Sequence, residues 1–293
     1  MIFITGATGF VGGHLVDHLL DKGLKLKCLV RSEKAGELLT AKGVEVVRGD
    51  ITLPGTLEGI LHPDDFVIHL AGIIIEKGVN TFNSIHVEGT SNLVNEAKKS
   101  GVRHFFYQSA LGADKTSRAT YLKTKAGAEE IVTGSGLETT IFRPSLIIGP
   151  WDGFTVKLID MIKLSPVLTI PGEGKARFQP ICIKDWLKCI DKVIDNPGGY
   201  PATYEIAGPE YIEFRKMIEI LSRSMGREKP VLKVPMGLMK FAASFFGALP
   251  VSFPVTSEQL ELLETDNICD MDIVEKNFGF CPVKYEDALK AFI

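Results

Sequence analysis

A tyrosine and a lysine four residues apart, Tyr121 and Lys125, are the pair best suited to proton transfer in this 293-residue chain. Residues with this spacing share one face of a helix. A lysine ammonium beside a phenol favours the phenolate and lowers the pKa of the tyrosine. The pair therefore predicts acid–base catalysis on an alcohol or a carbonyl, with Tyr121 as the acid or base and Lys125 as the group that tunes it. Ser109, which ends an apolar run, is a candidate to polarise the carbonyl.

Three glycines spaced by three, Gly6, Gly9 and Gly12, follow a short apolar run at the start of the chain. A strand, a glycine turn and an amphipathic helix in this order are typical of a dinucleotide site. Glycine permits the tight turn and lets backbone N–H groups approach a pyrophosphate, and the helix N-terminus adds partial positive charge. The residues expected to contact the cofactor here are Gly6, Thr8, Gly9, Phe10, Val11 and Gly12.

Arg31 and Ser32 follow the second predicted strand, at the place that faces the adenosine ribose in dinucleotide folds. An acidic residue here would accept hydrogen bonds from the ribose hydroxyls and repel a phosphate. Arg31 can instead pair with a 2′-phosphate and stack on adenine, so we expect NADP(H) to be preferred over NAD(H). The simpler interpretation of Arg31 is a solvated arginine at the end of a strand.

Other strand ends supply further candidate cofactor contacts. Asp50 can accept from the adenine amino group and Ile51 can pack on the ring, although Asp is also a common turn residue. Small residues after the fourth predicted strand let the backbone lie against the cofactor, whereas His69 before them is interpreted as a packed strand residue. The candidates in these two segments are Asp50, Ile51, Leu70, Ala71 and Gly72.

Apolar runs alternate with amphipathic stretches through the first half of the chain, which predicts an α/β fold with a doubly wound parallel sheet of Rossmann type. The predicted strands are 2–4, 24–30, 44–47, 66–70, 104–108 and 139–142, and predicted helices include 84–100 and 121–135. After residue 150 the alternation ends, which indicates a smaller C-terminal substrate lobe. We expect the Rossmann domain over 1–152 and 176–208 and the lobe over 153–175 and 209–293, with strands at 178–183 and 203–206 rejoining the main sheet.

Composition limits the remaining possibilities. A net charge of −3 gives no reason to expect nucleic-acid binding. The first strand begins at Met1, which leaves no room for a targeting peptide, and no apolar run approaches the length of a transmembrane helix. The five cysteines form no CxxC pair, so neither a metal site nor a disulfide framework is indicated. Reduced thiols in a cytoplasmic protein are the simplest account.

The motifs TGATGFVG, YLKTK and RPSLIIGP resemble the extended, NAD-dependent epimerase/dehydratase-like branch of the short-chain dehydrogenase/reductase superfamily. Further segments, such as PGEGKARFQPI and VPMGLMKFAASFF, resemble the atypical branch that includes the NADPH-binding accessory subunit of respiratory complex I. The resemblance implies nicotinamide-side contacts for Pro144 and Ser145 and a ribose contact for Lys125. His86 stands where extended enzymes often carry an Asn, so the usual catalytic set is incomplete. We interpret His86 as a structural helix residue, with a proton relay as the alternative.

Three functions remain open from the sequence. The first is an NADP(H)-dependent oxidoreductase acting through Tyr121, Lys125 and Ser109 on an unknown small molecule. The second is a non-catalytic, cofactor-binding scaffold or redox sensor. The third is a sugar-nucleotide epimerase or dehydratase, against which Arg31 and the short interval from Ser109 to Tyr121 argue; Lys175 and Arg177 are its candidate substrate contacts.

Apolar residues recur at helical spacing between Pro235 and Pro254. They are Leu238, Phe241, Ala242, Phe245, Phe246 and Leu249. The simpler interpretation is a helix packed on the core of the lobe. The alternative is an exposed surface over 236–249 for an apolar partner, a membrane surface or a quinone-like substrate, because such patches rarely lie bare on soluble monomers.

Overall fold

The computed structural model describes residues 1–239 and 257–293. Contacts between Cα atoms divide the chain into two units. The first unit comprises Met1–Arg143 and Leu187–Tyr204, and the second comprises Pro144–Trp186 and Glu205–Ile293. The division into a Rossmann domain and a smaller lobe stays a prediction, since 176–186 and 205–208, which it assigns to the Rossmann domain, belong to the second unit.

The strands of the described residues, in chain order, build one large sheet and three two-stranded sheets. They are β1 (Ile2–Thr5), β2 (Leu26–Val30), β3 (Glu45–Arg48), β4 (Phe66–His69), β5 (His104–Gln108), β6 (Glu138–Pro144), β7 (Ile147–Ile148), β8 (Leu168–Pro171), β9 (Arg177–Phe178), β10 (Ile181–Cys182), β11 (Thr203–Ile206), β12 (Ile212–Glu213) and β13 (Val231–Val234). The large sheet has the order β11-β6-β5-β4-β1-β2-β3, and its five pairs from β6 to β3 are parallel.

Helices alternate with these strands. They are α1 (Phe10–Asp21), α2 (Glu33–Ala41), α3 (Gly89–Lys99), α4 (Thr120–Thr133), α5 (Gly153–Leu164), α6 (Ile183–Asp195), α7 (Phe214–Ser224), α8 (Ser257–Leu262), α9 (Ile273–Phe278) and α10 (Tyr285–Lys290). One turn of π-helix, Asn83–Glu88, precedes α3. The strand order from β3 to β6 is that of dinucleotide-binding folds, and it reverses between β1 and β4, where such folds bind their ligand. The predicted Rossmann-type α/β fold is confirmed.

The sequence of β1 shows why this sheet forms. All four residues of Ile2–Thr5 are buried, as expected for a parallel strand that is covered on both faces. The pairing of β1 with β4 sets Thr5 beside His69, so two polar side chains meet at the carboxyl end of neighbouring strands. Thr203–Ile206 joins the large sheet beside β6, as the sequence predicts.

The strand predicted over 178–183 is wrong. Two short strands, β9 and β10, cover half of this segment and pair with β12 and β7 in small sheets, and Ile183 already begins α6. Pro180 interrupts the segment, and its missing N–H cannot take part in a continuous ladder.

The apolar surface predicted over 236–249 lies, apart from 236–239, outside the described residues. Leu238, the described member of its apolar set, has 58% of its surface exposed. Across the described ranges, no helix combines the length and the apolar character that crossing a membrane requires.

Candidate functional site

The turn between β1 and α1 is packed so tightly that two of its glycine positions have no room for a Cβ atom. Gly6 has a φ of +75°, and a Cβ there would lie 2.7 Å from the backbone nitrogen of Ala71. A Cβ on Gly12 would lie 2.1 Å from the carbonyl oxygen of Gly6. Gly9 has more room, since its Cβ would lie 3.3 Å from the same oxygen. The turn therefore brings the start of α1 against the ends of β1 and β4.

The first turn of α1 suits an anion. Gly9 is the N-cap residue, so no side chain caps the helix, and no acidic residue lies in its first turn. Helix N-termini with unsatisfied N–H groups and a positive dipole end attract phosphate. Thr8 and Gly9 are exposed and Phe10 and Val11 are half-buried, so this segment is accessible from outside. These features fit a dinucleotide pyrophosphate.

Arg31 lies exposed immediately after β2. It forms no ion pair with any carboxylate in residues 1–239 or 257–293. Ser32 is the N-cap of α2, where its hydroxyl accepts from the backbone N–H of Ala35 at 3.3 Å. Arg31 is thus a cation available at the sheet edge, whereas the side chain of Ser32 already has a structural role.

The segment after β3 holds Asp50 and Ile51 by local contacts. The Oδ1 of Asp50 accepts from both the backbone N–H and the hydroxyl of Thr52, each at 2.9 Å. Ile51 is buried in the core and packs over Gly89, where a Cβ would lie 2.7 Å from the Ile51 Cδ1 atom. Asn92 donates to the carbonyl oxygen of Ile51 at 2.9 Å. Both residues therefore have structural contacts beside the adenine contacts that the sequence predicts.

Lys125 is buried next to the loop that follows β4. Its Nζ donates to the backbone carbonyl oxygen of Gln108 at 2.8 Å, and a Cβ added to Gly72 would lie 3.3 Å from that Nζ. Leu70 and Ala71 are half-buried, and Gly72 is exposed. The predicted cofactor loop and the predicted catalytic lysine are thus neighbours. Burial lowers the pKa of Lys125 to about 8, and the charge of Glu129 partly opposes that shift.

The environment of Tyr121 shifts its pKa opposite to the sequence prediction. The ring of Tyr121 packs edge-on against Phe82 and His86, with centroid distances of 5.8 and 5.6 Å. Burial raises the pKa of Tyr121 to about 12. The Lys125 ammonium, one helical turn away, donates to the backbone carbonyl oxygen of Gln108. In the free protein Tyr121 is therefore a protonated acid.

Two histidines beside this pair are fully buried and neutral. Burial, with the charge of Lys125, lowers the pKa of His69 and of His86 to about 3. The His69 ring nitrogens meet the hydroxyl oxygens of Thr5 at 2.6 Å and Thr90 at 3.0 Å. His69 is thus the packed strand residue that the sequence indicates.

His86 lies in the π-helix, a geometry that is often found at functional sites. Its Nδ1 meets the hydroxyl of Thr124 at 2.9 Å, and its Nε2 lies 3.1 Å from both the backbone nitrogen and the backbone oxygen of Ile73. His86 therefore ties α4 to the loop after β4. This arrangement fits the structural interpretation of His86, because both ring nitrogens are engaged by protein groups.

Ser109 is buried at the end of β5 without a hydrogen-bond partner for its hydroxyl among the described residues. The side-chain oxygen of its neighbour Gln108 is also buried without a hydrogen-bond partner among the described residues. A buried polar group without a partner is costly, and a ligand that supplies the partner recovers that cost. The end of β5 therefore fits a site for a polar ligand.

Pro144 and Ser145 belong to the second unit. The Ser145 hydroxyl lies 2.6 Å from the Oδ1 of Asn267, and the Ser145 N–H donates to the carbonyl oxygen of Ile206 at 2.9 Å. Arg177 in this unit forms a two-pronged ion pair with Asp266 at 3.0 and 2.6 Å. Its charge is therefore already neutralised, while Lys175 is exposed.

A partly buried ion pair, Glu129 with Arg143, lies behind Lys125 and was not predicted from the sequence. Both oxygens of Glu129 accept from Arg143, at 2.8 Å from Nε and 2.5 Å from Nη2. The signal was present, because Glu129 follows Lys125 by four residues on one helical face. Tyr107 was also missed; its ring lies 5.0 Å from the Lys125 Nζ.

The family model of the NmrA-like family matches residues 1–267. The chain belongs to the NmrA-like family. Among curated relatives, the ceramide reductase of Caulobacter vibrioides is 34% identical over 58% of this chain and 53% of its own length, so the chain matches about half of that relative. Subunit 9 of the NADH dehydrogenase [ubiquinone] 1 alpha subcomplex of Arabidopsis thaliana is 28% identical over 96% of this chain and 76% of its own length.

Solved structures share the fold of this NmrA-like protein. The NADPH-dependent quinone oxidoreductase QOR2 of Escherichia coli, complexed with NADPH, aligns with a TM-score of 0.80 over 99% of both chains at 19% identity. A nucleoside-diphosphate-sugar epimerase of Staphylococcus aureus aligns with a TM-score of 0.79 over 99% of both chains at 20% identity. The predicted resemblance is confirmed, and the family is an NAD(P)-binding, oxidoreductase-like one.

Proposed function

We propose that this NmrA-like protein is an NADP(H)-dependent oxidoreductase that reduces a carbonyl, or oxidises the matching alcohol, with Tyr121 as the acid–base residue. The observation that carries the proposal is the convergence at adjacent strand ends. The anion-binding turn follows β1, Gly72 follows β4 and lies beside the Lys125 ammonium, and the unpartnered Ser109 hydroxyl ends β5. Ligands in folds of this topology bind at these strand ends.

The protonation states favour the direction of reduction. A bound nicotinamide cofactor supplies the hydride. Tyr121 holds its proton in the free protein, because burial raises its pKa to about 12, so it can donate that proton to the carbonyl oxygen. The hydroxyl of Ser109 can donate a hydrogen bond to the same oxygen, and the Lys125 ammonium stabilises the tyrosinate that remains. The reverse reaction uses the same groups in the opposite order.

The preference for NADP(H) rests on Arg31. Its guanidinium is exposed after β2, unpaired within the described part of the chain, and no carboxylate occupies the position that would favour a free ribose. A planar guanidinium matches a phosphate in geometry and charge. Relatives named as a ceramide reductase, a ketoreductase and an NAD(P)H azoreductase support a reductase. The five free cysteines fit the proposed cytoplasmic location.

Replacement of Tyr121 by Phe tests the proposal directly. Small molecules retained by the purified protein, identified by mass spectrometry, supply the candidate substrates, and oxidation of NADPH is followed by absorbance. We expect Tyr121→Phe to lower kcat by about 10²–10⁴-fold, the usual worth of a positioned acid. Tyr211→Phe is the matched control, because the Tyr211 hydroxyl donates to the Cys269 carbonyl oxygen and has no role in the proposed reaction. Full turnover by Tyr121→Phe would refute the catalytic role.

A cofactor-binding scaffold is the second candidate. It is favoured by relatives named as a photosystem II assembly factor and a complex I subunit. A scaffold would bind NADPH but turn over none of the retained compounds, and it would copurify with a partner that is lost when 236–249 is deleted. Epimerisation of a sugar nucleotide is less favoured, because Arg177, one of its two candidate substrate contacts, is occupied by Asp266.

A further inference from the structure

Helix α4 presents three chemically distinct side chains at successive turns, Tyr121, Lys125 and Glu129. The third is the least expected, because a carboxylate that is 7% exposed needs strong compensation. Arg143 on β6 supplies it with a parallel pair of hydrogen bonds to both carboxylate oxygens. This bidentate geometry fixes the carboxylate more firmly than a single contact would.

Few charges reach Lys125. His69 and His86 face it from β4 and the π-helix, and both are neutral because burial lowers their pKa values to about 3. Tyr107 on β5 and Tyr121 on α4 are protonated, because burial raises the pKa of each phenol. Glu129 is the anionic group in the described part of the chain whose charge raises the pKa of Lys125. The charge state of the lysine thus depends on this carboxylate.

The position of the lysine ammonium depends on Arg143. One Nζ–H group donates to the Gln108 carbonyl, and the ammonium lies beside Gly72, on the proposed cofactor loop. A carboxylate one helical turn away would ordinarily form a direct pair with such a lysine. Both carboxylate oxygens instead accept from Arg143, and the Lys125 ammonium donates to the Gln108 carbonyl oxygen. The described part of the chain shows no ion pair between Lys125 and Glu129.

We propose that the Glu129–Arg143 pair is the positioning device for Lys125: the carboxylate keeps the ammonium charged, and the arginine keeps the carboxylate from capturing it. The use of this positioned lysine, which is to contact the cofactor and Tyr121, rests on the proposed function. The positioning itself is a property of the free protein and can be measured without any substrate.

The decisive measurement is an NMR titration of the Lys125 side chain in the whole, cofactor-free protein with labelled lysine, assigned with Lys125→Met. We expect Glu129→Gln, which keeps the shape but removes the charge, to reduce the proton affinity of Lys125 about tenfold, equivalent to about 1.4 kcal/mol. Glu130→Gln is the matched control, because this neighbouring glutamate is exposed and pairs with Lys115. An unchanged titration midpoint in Glu129→Gln would overturn the proposal.

Arg143→Met should shift the titration in the opposite direction. The released carboxylate pairs with Lys125, so the lysine titrates at higher pH, while NADPH affinity at pH 7 falls because the ammonium is withdrawn from the ligand. If the Glu129–Arg143 pair had only a structural role, Glu129→Gln and Arg143→Met would not shift the titration midpoint of Lys125 in opposite directions. If Arg143→Met also lowered the midpoint, the assigned role of Arg143 would be refuted.

A double variant separates charge from folding. Glu129→Leu with Arg143→Met fills the space with apolar groups, a replacement that buried ion pairs often tolerate. It should reproduce the shift of Glu129→Gln, and a wild-type midpoint would overturn the proposal. If these shifts occur while Tyr121→Phe retains full turnover, the proposed enzyme function fails and the positioning of Lys125 stands.

Discussion

The two halves of the candidate site are built on different physical principles. At the β1–α1 turn, space is the constraint: a Cβ on Gly12 would lie 2.1 Å from the Gly6 carbonyl oxygen, and the proposed ligand contacts are backbone N–H groups. At the ends of β5 and α4, space is filled by polar side chains, and burial sets their protonation. There Lys125 has a pKa of about 8 and Tyr121 a pKa of about 12.

This difference determines which perturbations each half will tolerate. The turn should be insensitive to pH and intolerant of a Cβ at Gly6 or Gly12, because its geometry is set by backbone contacts. The polar half should tolerate changes of similar shape but respond strongly to acid, because burial keeps its histidines neutral below pH 6.5, where free imidazoles become protonated. Five predictions test this contrast.

Acid should destabilise the polar half most. The folded-state pKa of His69 and of His86 is about 3, whereas the unfolded value is about 6.5. The unfolded state therefore binds more protons below pH 6.5, and stability falls as pH drops toward 3. Each histidine contributes about 1.4 kcal/mol per pH unit, so the two together cost about 4 kcal/mol at pH 5. Urea unfolding at pH 7.5, 6 and 5 measures this loss.

His86→Asn isolates one of the two contributions. We expect it to remove about half of the histidine-dependent loss of stability between pH 6.5 and 5. His62→Asn, at an exposed histidine, is the control and should leave the slope unchanged. A wild-type slope in His86→Asn would mean that His86 is not held neutral by burial.

Gly12→Ala should be the most damaging single methyl group in the turn. The new Cβ meets backbone rather than a movable side chain, so the free energy of unfolding should fall by about 3 kcal/mol or more. Gly13→Ala is the matched control on the same helix, because its Cβ would lie 3.9 Å from its nearest neighbour. That change should stabilise α1 by about 0.5–1 kcal/mol. Equal effects of the two changes would contradict the steric account.

The contrast also explains what the sequence could predict. The glycine spacing predicted the turn, and the alternation of apolar runs with amphipathic stretches predicted the fold, because close approach and burial leave few residue types possible. The predicted direction of the Tyr121 pKa shift was wrong, because burial raises this pKa and no spacing rule reveals how deeply the phenol is buried. The strand predicted over 178–183 was wrong for a similar reason. The local pattern of this segment is that of a strand, but Pro180 and the pairing of β9 and β10 with different strands divide it.

Arg31→Asp should have a moderate and specific effect. We expect the ratio of NADPH to NADH affinity to fall at least tenfold, about 1.4 kcal/mol, because the carboxylate repels the 2′-phosphate and accepts from the ribose hydroxyls. Lys98→Asp, an equal charge change on an exposed residue at the end of α3, is the control. Calorimetric titration with both cofactors measures the ratio. An unchanged ratio would show that Arg31 does not contact the phosphate.

Ser109→Ala should give the smallest change in the free energy of unfolding. We expect a gain in stability here, in contrast to the loss expected for Gly12→Ala in the turn. The Ser109 hydroxyl is buried and lacks a partner among the described residues, so its removal should raise the free energy of unfolding by up to about 1 kcal/mol. The same substitution should lower turnover, since the hydroxyl is the proposed donor to the carbonyl oxygen. Ser117→Ala, whose hydroxyl accepts from the Ala119 N–H, should show neither the gain nor the loss. A loss of stability in Ser109→Ala would mean that the hydroxyl is satisfied in the free protein and that the end of β5 is not prepared for a ligand.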